Sequence, residues 1–280
     1  MSQKSRAQEQ SKGDSGEKIA AGFHWLFAFL FVVAFAISVA TFFAPLNFSG
    51  SSGWLEATLL ILTTLITLAS AAQQLPMQNV LLAAVVIALI GSAAHALNVI
   101  MEIPFGPLTF TDKTGPEIFK TLPWAIPLLW VVVVLNSRGV ARLILRPWRK
   151  TKIYGFWVIG LTAALVLLFD LAFEPFAARV KHYWIWTTTK LPVAWYGAPV
   201  LNFFVWALLT LLILAFVTPA LIKRKPSRKK LPYFYPLGIW LCAIAYFASG
   251  CAAHGFWPAV GVDAGIAVVT AVFAIRGASW

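Results

Sequence analysis

The sequence predicts an all-α fold, a polytopic bundle of about eight transmembrane helices, and three observations carry that prediction. Of the 280 residues, 60% are apolar or aromatic and only 11% are charged, against about 25% charged in a soluble domain. Mean hydropathy is +0.80. The apolar residues gather into eight runs, each close to the roughly 20 residues that cross a bilayer as a helix. Surface this apolar needs lipid as its solvent, which excludes a soluble enzyme, a disordered chain and a disulfide scaffold.

The runs are approximately 19–44, 54–75, 77–102, 120–141, 152–174, 198–222, 231–253 and 257–276. Residues 1–18 are polar and read as a disordered cytoplasmic tail, leaving 19–280 as a single transmembrane domain. The first run exceeds the roughly 7–15 residues of a signal-peptide core, so it reads as a retained span. Only Gln73, Gln74 and Pro76 separate the second and third runs, which makes them a tight helical hairpin. Residues 103–119 carry Pro104, Gly106, Pro107, Gly115 and Pro116 and cannot form one continuous helix. Pro175 follows the fifth run, and residues 175–197 hold Tyr183, Trp184, Trp186, Trp195 and Tyr196, rings that favour the headgroup level. Both segments are expected to lie at the outer interface and cover helix ends. The seventh run holds Cys242 and Cys251, nine residues apart; about 13 Å of helix rise keeps them from bonding each other. The last run contains Asp263.

Charge fixes the expected orientation. Formal net charge is +12, and the basic residues fall between the apolar runs rather than on a soluble domain, so nucleic acid is not an expected partner. With the N-terminus inside, seventeen Lys and Arg fall on the inner side and five on the outer side. That asymmetry places both termini in the cytoplasm. Arg138, Arg142, Arg146 and Arg149, and the basic run at 223–230, read as topology determinants or contacts to anionic headgroups.

Charged side chains at membrane depth cost about 2.5–3.5 kcal/mol even on the lenient insertion scale, so each needs a reason. His95, Asn98 and Glu102 share one face near the outer end of the third run. Asp170 and Glu174 stand one turn apart near the outer end of the fifth, and Asn202 is near the outer end of the sixth. Glu56, His254 and Asp263 fall at similar depth, and only His24 lies toward the inner side. Independent placement would scatter these groups over both leaflets. Glu56 and Asp263 read as interfacial side chains reaching water. His95 and Asn98 have a structural alternative as interhelical hydrogen-bonding groups.

Three segments resemble the CruF-type carotenoid hydratase family of carotenoid biosynthesis. They are Pro104-Phe105-Gly106 followed by Leu122-Pro123-Trp124-Ala125-Ile126-Pro127 and Trp130; Asp170-Leu171-Ala172-Phe173-Glu174-Pro175 followed by Tyr183-Trp184-Ile185-Trp186; and Trp195-Tyr196-Gly197-Ala198-Pro199-Val200-Leu201-Asn202-Phe203 with Trp206. The chain departs from the family pattern where that pattern has a Glu before Pro-Phe-Gly and two Tyr after it: these positions are His95, Leu108 and Phe110. The resemblance implies an integral protein of a prokaryotic inner membrane. It also implies a hydro-lyase activity, the addition of water to the terminal double bond of an acyclic carotenoid, and other membrane enzymes of that pathway as partners.

Hydration is redox-neutral, so no cofactor or metal is expected. It needs an acid to protonate the alkene, a cavity that tolerates a tertiary carbocation, and a held water. A carboxyl in apolar surroundings keeps its proton near neutrality, and aromatic faces stabilise a cation. Asp170 is the first candidate acid and Glu102 the second; Glu174 and Asn202 are candidates to hold the water, and His95 to relay a proton. Two other classes stay open. One is a non-catalytic carotenoid-binding or pigment-complex assembly protein, which the residues at His95, Leu108 and Phe110 favour. The other is a small-molecule transporter using the same carboxylates, for which inverted repeats are expected and none is visible.

Overall fold

A computed structural model describes residues 3–44, 53–187, 193–222 and 232–280; the basic run at 223–230 lies outside the described residues. The described helices are α1 (Gln3–Phe43), α2 (Gly53–Ala72), α3 (Met77–Met101), α4 (Ala125–Ile144), α5 (Tyr154–Pro175), α6 (Val200–Val217), α7 (Tyr235–Ala253) and α8 (Trp257–Ala278). Each includes a stretch long and apolar enough to cross a membrane, from His24–Phe43 in the first to Trp257–Ala278 in the last. α1 as described begins at Gln3, ahead of its apolar span His24–Phe43. Gln, Lys and Glu are good helix formers, and a formed helix propagates into such a stretch more easily than it nucleates there.

The spans match the apolar runs, with shifts that follow from local chemistry. α4 begins at Ala125 rather than near 120 because β2 (Glu117–Ile118) pairs antiparallel with β3 (Leu122–Pro123) just before it. α7 begins at Tyr235 rather than 231, with Pro236 in its first turn where a missing N–H costs nothing. α5 runs through Pro175 and continues as a π turn over Phe176–Val180. Pro175 has no N–H to give the carbonyl of Leu171, and the indole Nε1 of Trp195 donates to that carbonyl instead, at 3.0 Å.

α4 is the central helix. It packs on α2, α3, α5, α7 and α8, and 67% of its span is buried against 22% for α8. Close approach is allowed by small residues: a Cβ at Gly91 would overlap the Trp130 ring, and one at Gly277 the carbonyls of Leu143 and Ile144. Interhelical hydrogen bonds include Asn136 Nδ2 to Thr67 Oγ1 at 2.8 Å and Trp240 Nε1 to Ser137 Oγ at 3.1 Å, interactions worth about 0.6 kcal/mol each in membranes. At the end of the bundle where α4 finishes, Arg138 and Arg146 donate to the carbonyls of Leu221 and Ala278.

The opposite end carries a cap built from both aromatic- and proline-rich segments. β1 (Leu108–Phe110) pairs antiparallel with β4 (Trp184–Trp186), in the register Leu108 to Trp186 and Phe110 to Trp184. β5 (Val193–Trp195) pairs with β6 (Ala198–Pro199) at the entrance to α6. Coverage of helix ends was expected; the joining of the two segments by a β ladder was not, because strands this short carry no periodicity.

Candidate functional site

α5 and α6 pack side by side beneath the cap, and their polar residues meet. Asp170 is fully buried at 0% exposure, and Asn202 is 2% exposed. Asn202 Nδ2 donates to Asp170 Oδ2 at 2.7 Å. Asp170 Oδ1 is buried and has no hydrogen-bond partner among the described residues. The pair expected from the sequence on two separate spans is thus in direct contact, with one carboxyl oxygen held and the other available.

Glu174 stands one turn nearer the cap and is 1% exposed. Its Oε1 accepts from Trp184 Nε1 at 2.9 Å and also from Trp186 Nε1. Oε2 has no partner among the described residues. The alternation of β4 explains the grip: Trp184 and Trp186 lie two residues apart on one face of the strand, so both indoles reach the same carboxylate. One oxygen of Glu174 therefore anchors the cap to α5, and the other is left without a hydrogen-bond partner among the described residues.

His95 lies in an aromatic box. Its ring stacks on Phe105 at 4.4 Å and lies about 6 Å from Phe110, Trp130 and Trp206. Trp130 and Trp206 stack at 4.3 Å, and Trp206 is one turn along α6 from Asn202. Neither ring nitrogen of His95 has a hydrogen-bond partner among the described residues. Asn98 builds this box. Its Oδ1 accepts from Phe105 N at 2.8 Å and Gly106 N at 3.3 Å, and its Nδ2 donates to Gly106 O at 2.9 Å. Three bonds close the turn that lays Phe105 on His95. Phe110, another position of departure from the family pattern, is His95's neighbour, and Leu108 is buried in the same strand.

Glu102 does not join this group. It is exposed, forms the C-cap of α3 in the left-handed conformation (φ 59°), and gives its backbone N–H to Asn98 O at 2.8 Å. Its helical offset from His95 was read correctly, but the helix ends one residue earlier and turns the side chain out. Glu56 and Asp263 also differ from expectation. Glu56 pairs with Lys181 and accepts from the Tyr183 hydroxyl. Asp263 is 1% exposed, and neither of its oxygens has a partner among the described residues. The Glu56–Tyr183 bond spans 127 residues of sequence, so no local pattern announces it. Desolvation, and then the adjacent Glu56 carboxylate, hold the Tyr183 phenol well above its ordinary pKa, so it remains a donor.

A cavity of about 530 Å³ lies on the other side of α5, among α1, α2, α4, α5, α7 and the cap. Its wall is overwhelmingly apolar. Asp170, Glu174, Asn202 and His95 do not line it; α5 turns Phe169 and Phe173 toward it. Trp184 belongs to both places, lining the cavity and donating to Glu174. The single chamber expected from the sequence is not what the structure shows: the polar pair is buried between α5 and α6, and the apolar cavity lies across α5.

Comparison with family models matches residues 55–271 to the carotenoid biosynthesis protein family. No curated protein and no solved structure gives a match. The matched stretch includes Glu56, the His95 box, the Asp170–Asn202 pair, the cap and the whole of α2 to α7 apart from its first two residues. On that match, the chain belongs to the carotenoid biosynthesis protein family.

Proposed function

We propose that the chain is a hydratase that adds water across the terminal double bond of an acyclic carotenoid. The observation that carries this reading is Asp170, wholly buried, with one oxygen bound by Asn202 and the other unpartnered. In this reading Asp170 gives its proton to the terminal alkene carbon, leaving a tertiary carbocation that nearby aromatic faces stabilise. Water held by Asn202 and by Glu174 Oε2 adds to the cation. The proton it sheds returns to Asp170, with His95 as relay, so the step balances as alkene plus water to tertiary alcohol. The polyene itself occupies the apolar cavity. Because Phe169 and Phe173 stand on the cavity side of α5, reaction there requires those rings to move aside.

The test is expression in a host that makes an acyclic carotenoid, with mass spectrometry for one added water. Asp170→Asn is expected to abolish the mass shift while the protein still folds in detergent; retained hydration would remove Asp170 from the acid role. A second reading, a carotenoid-binding protein without catalysis, is favoured by one observation: His95 and Phe110 sit together where the resembled family carries Glu and Tyr. Bound pigment that never gains water would select it. We further propose that the protein resides in a prokaryotic inner membrane with the cap outside and both termini in the cytoplasm, an orientation supported by the seventeen-to-five distribution of basic residues.

A further inference from the structure

The cavity is not uniformly apolar. It runs from the cap down to the middle of the bundle: along α2 its wall extends from Gly53 to Thr63, ten residues or roughly 15 Å of rise. The lower part is aliphatic and aromatic. Phe169, Phe173, Phe176 and Phe247 form one connected wall, with ring centroids 4.9–6.5 Å apart. The upper part is lined by Glu56 and Tyr183, together with Lys113 and Thr114 of the cap. Lys181 pairs with Glu56 from outside the cavity lining; its side chain and that of Glu56 are each only 18% exposed, and its ammonium lies 4.8 Å from the Phe42 ring centroid.

We infer that this cavity is a binding site for a polyene alcohol, with Glu56, held in place by Lys181, and Tyr183 reading its hydroxyl end. The ligand class rests on the carotenoid reading above; the site is assigned from the cavity and the cluster. A carboxylate offers about four acceptor positions, and Glu56 uses one oxygen for Lys181 and the other for Tyr183, which leaves acceptor capacity for a ligand O–H. Lys181 does not line the cavity and serves to fix the Glu56 carboxylate, so the lone pairs left on Glu56 and on the Tyr183 phenol oxygen are the positions to which a ligand O–H can donate. A hydrocarbon end has no such proton to give. The aromatic wall suits a conjugated chain better than a saturated lipid tail. A volume near 530 Å³ is that of an ordinary small-molecule site, and holds the end of a long polyene while the rest lies outside. The alcohol that hydration produces is such a molecule, so the cluster is placed to hold a hydrated end.

The experiment uses the full chain in detergent with two fluorescent probes, retinol and the same polyene lacking the hydroxyl. Retinol is expected to bind about tenfold more tightly, the effect of one hydrogen bond to a charged group. Tyr183→Phe, and independently Glu56→Gln, should erase that preference without changing hydrocarbon binding. Ala243→Trp fills the cavity and should remove both ligands; Leu129→Trp serves the same purpose if that variant fails to fold. Equal affinity for the two probes, or a preference that survives in Tyr183→Phe, overturns the role of the cluster and leaves a lipid-tail cavity. Binding unaffected by the filled cavity overturns the site. Hydration measured on the same samples separates the two proposals: retinol binding that persists in an Asp170→Asn protein without hydratase activity upholds the site, whichever residue proves to be the acid.

Discussion

Glu174→Leu tests whether one carboxylate oxygen ties the cap to the membrane-embedded core. The substitution keeps an apolar side chain of similar reach but leaves two indole N–H groups without their acceptor. Trp184 is 5% exposed, and stranding a buried donor costs about 1–3 kcal/mol. Trp186 is half-buried and recovers part of its loss from water. Together the expected cost is about 2–4 kcal/mol. For a chain of this size each kcal/mol moves the midpoint of thermal unfolding by about 2–4 °C, so Tm should fall by about 4–16 °C. Intrinsic tryptophan fluorescence during heating in detergent reads it directly. Trp184→Phe removes the donor with the acceptor kept, and the double variant removes both. If the bond carries the effect, the double variant loses less than the sum of the singles by about 1 kcal/mol or more. Glu174→Gln retains an acceptor oxygen and should keep more than half of the lost stability. A Glu174→Leu protein melting within about 1 °C of the parent, or additive singles, would refute the anchoring role.

Two further outcomes follow from where the remaining groups lie. Glu102→Gln should leave hydration and Tm unchanged, within about 0.5 kcal/mol of stability, because Glu102 is exposed at the end of α3; a loss of activity on turnover assay would return it to the site. In a chain with Cys242 and Cys251 replaced by Ala, a membrane-impermeant thiol reagent should label Lys113→Cys on intact cells and Arg149→Cys only after permeabilisation; the reverse pattern would invert the proposed orientation.

The sequence made the spans legible because hydropathy acts over whole helices and tolerates shifts of a few residues. It also placed Asp170, Glu174 and Asn202 at one depth, since depth follows from topology and helical rise. What it could not give was facing across helices. Asp170 and Phe169 are neighbours in sequence, yet one meets Asn202 and the other lines the cavity; which of two adjacent positions faces which partner depends on how α5 is rotated against α4, α6 and α7. Glu102 was misplaced for a local reason, a helix that stops one residue sooner than the apolar run. The Glu56–Lys181–Tyr183 cluster escaped because its members are 125 and 127 residues apart. The Glu174–Trp184–Trp186 contact was the nearest to recoverable: an acidic residue followed ten and twelve positions later by two tryptophans on one strand face.

The indole that serves the Leu171 carbonyl sits twenty-four positions downstream. During synthesis from the N-terminus, the last turn of α5 therefore lacks its full complement of bonds until the segment after it has emerged and folded back. A truncation that stops before Trp195 would leave that terminus frayed, and Glu174 with it, although every residue of the helix itself were present.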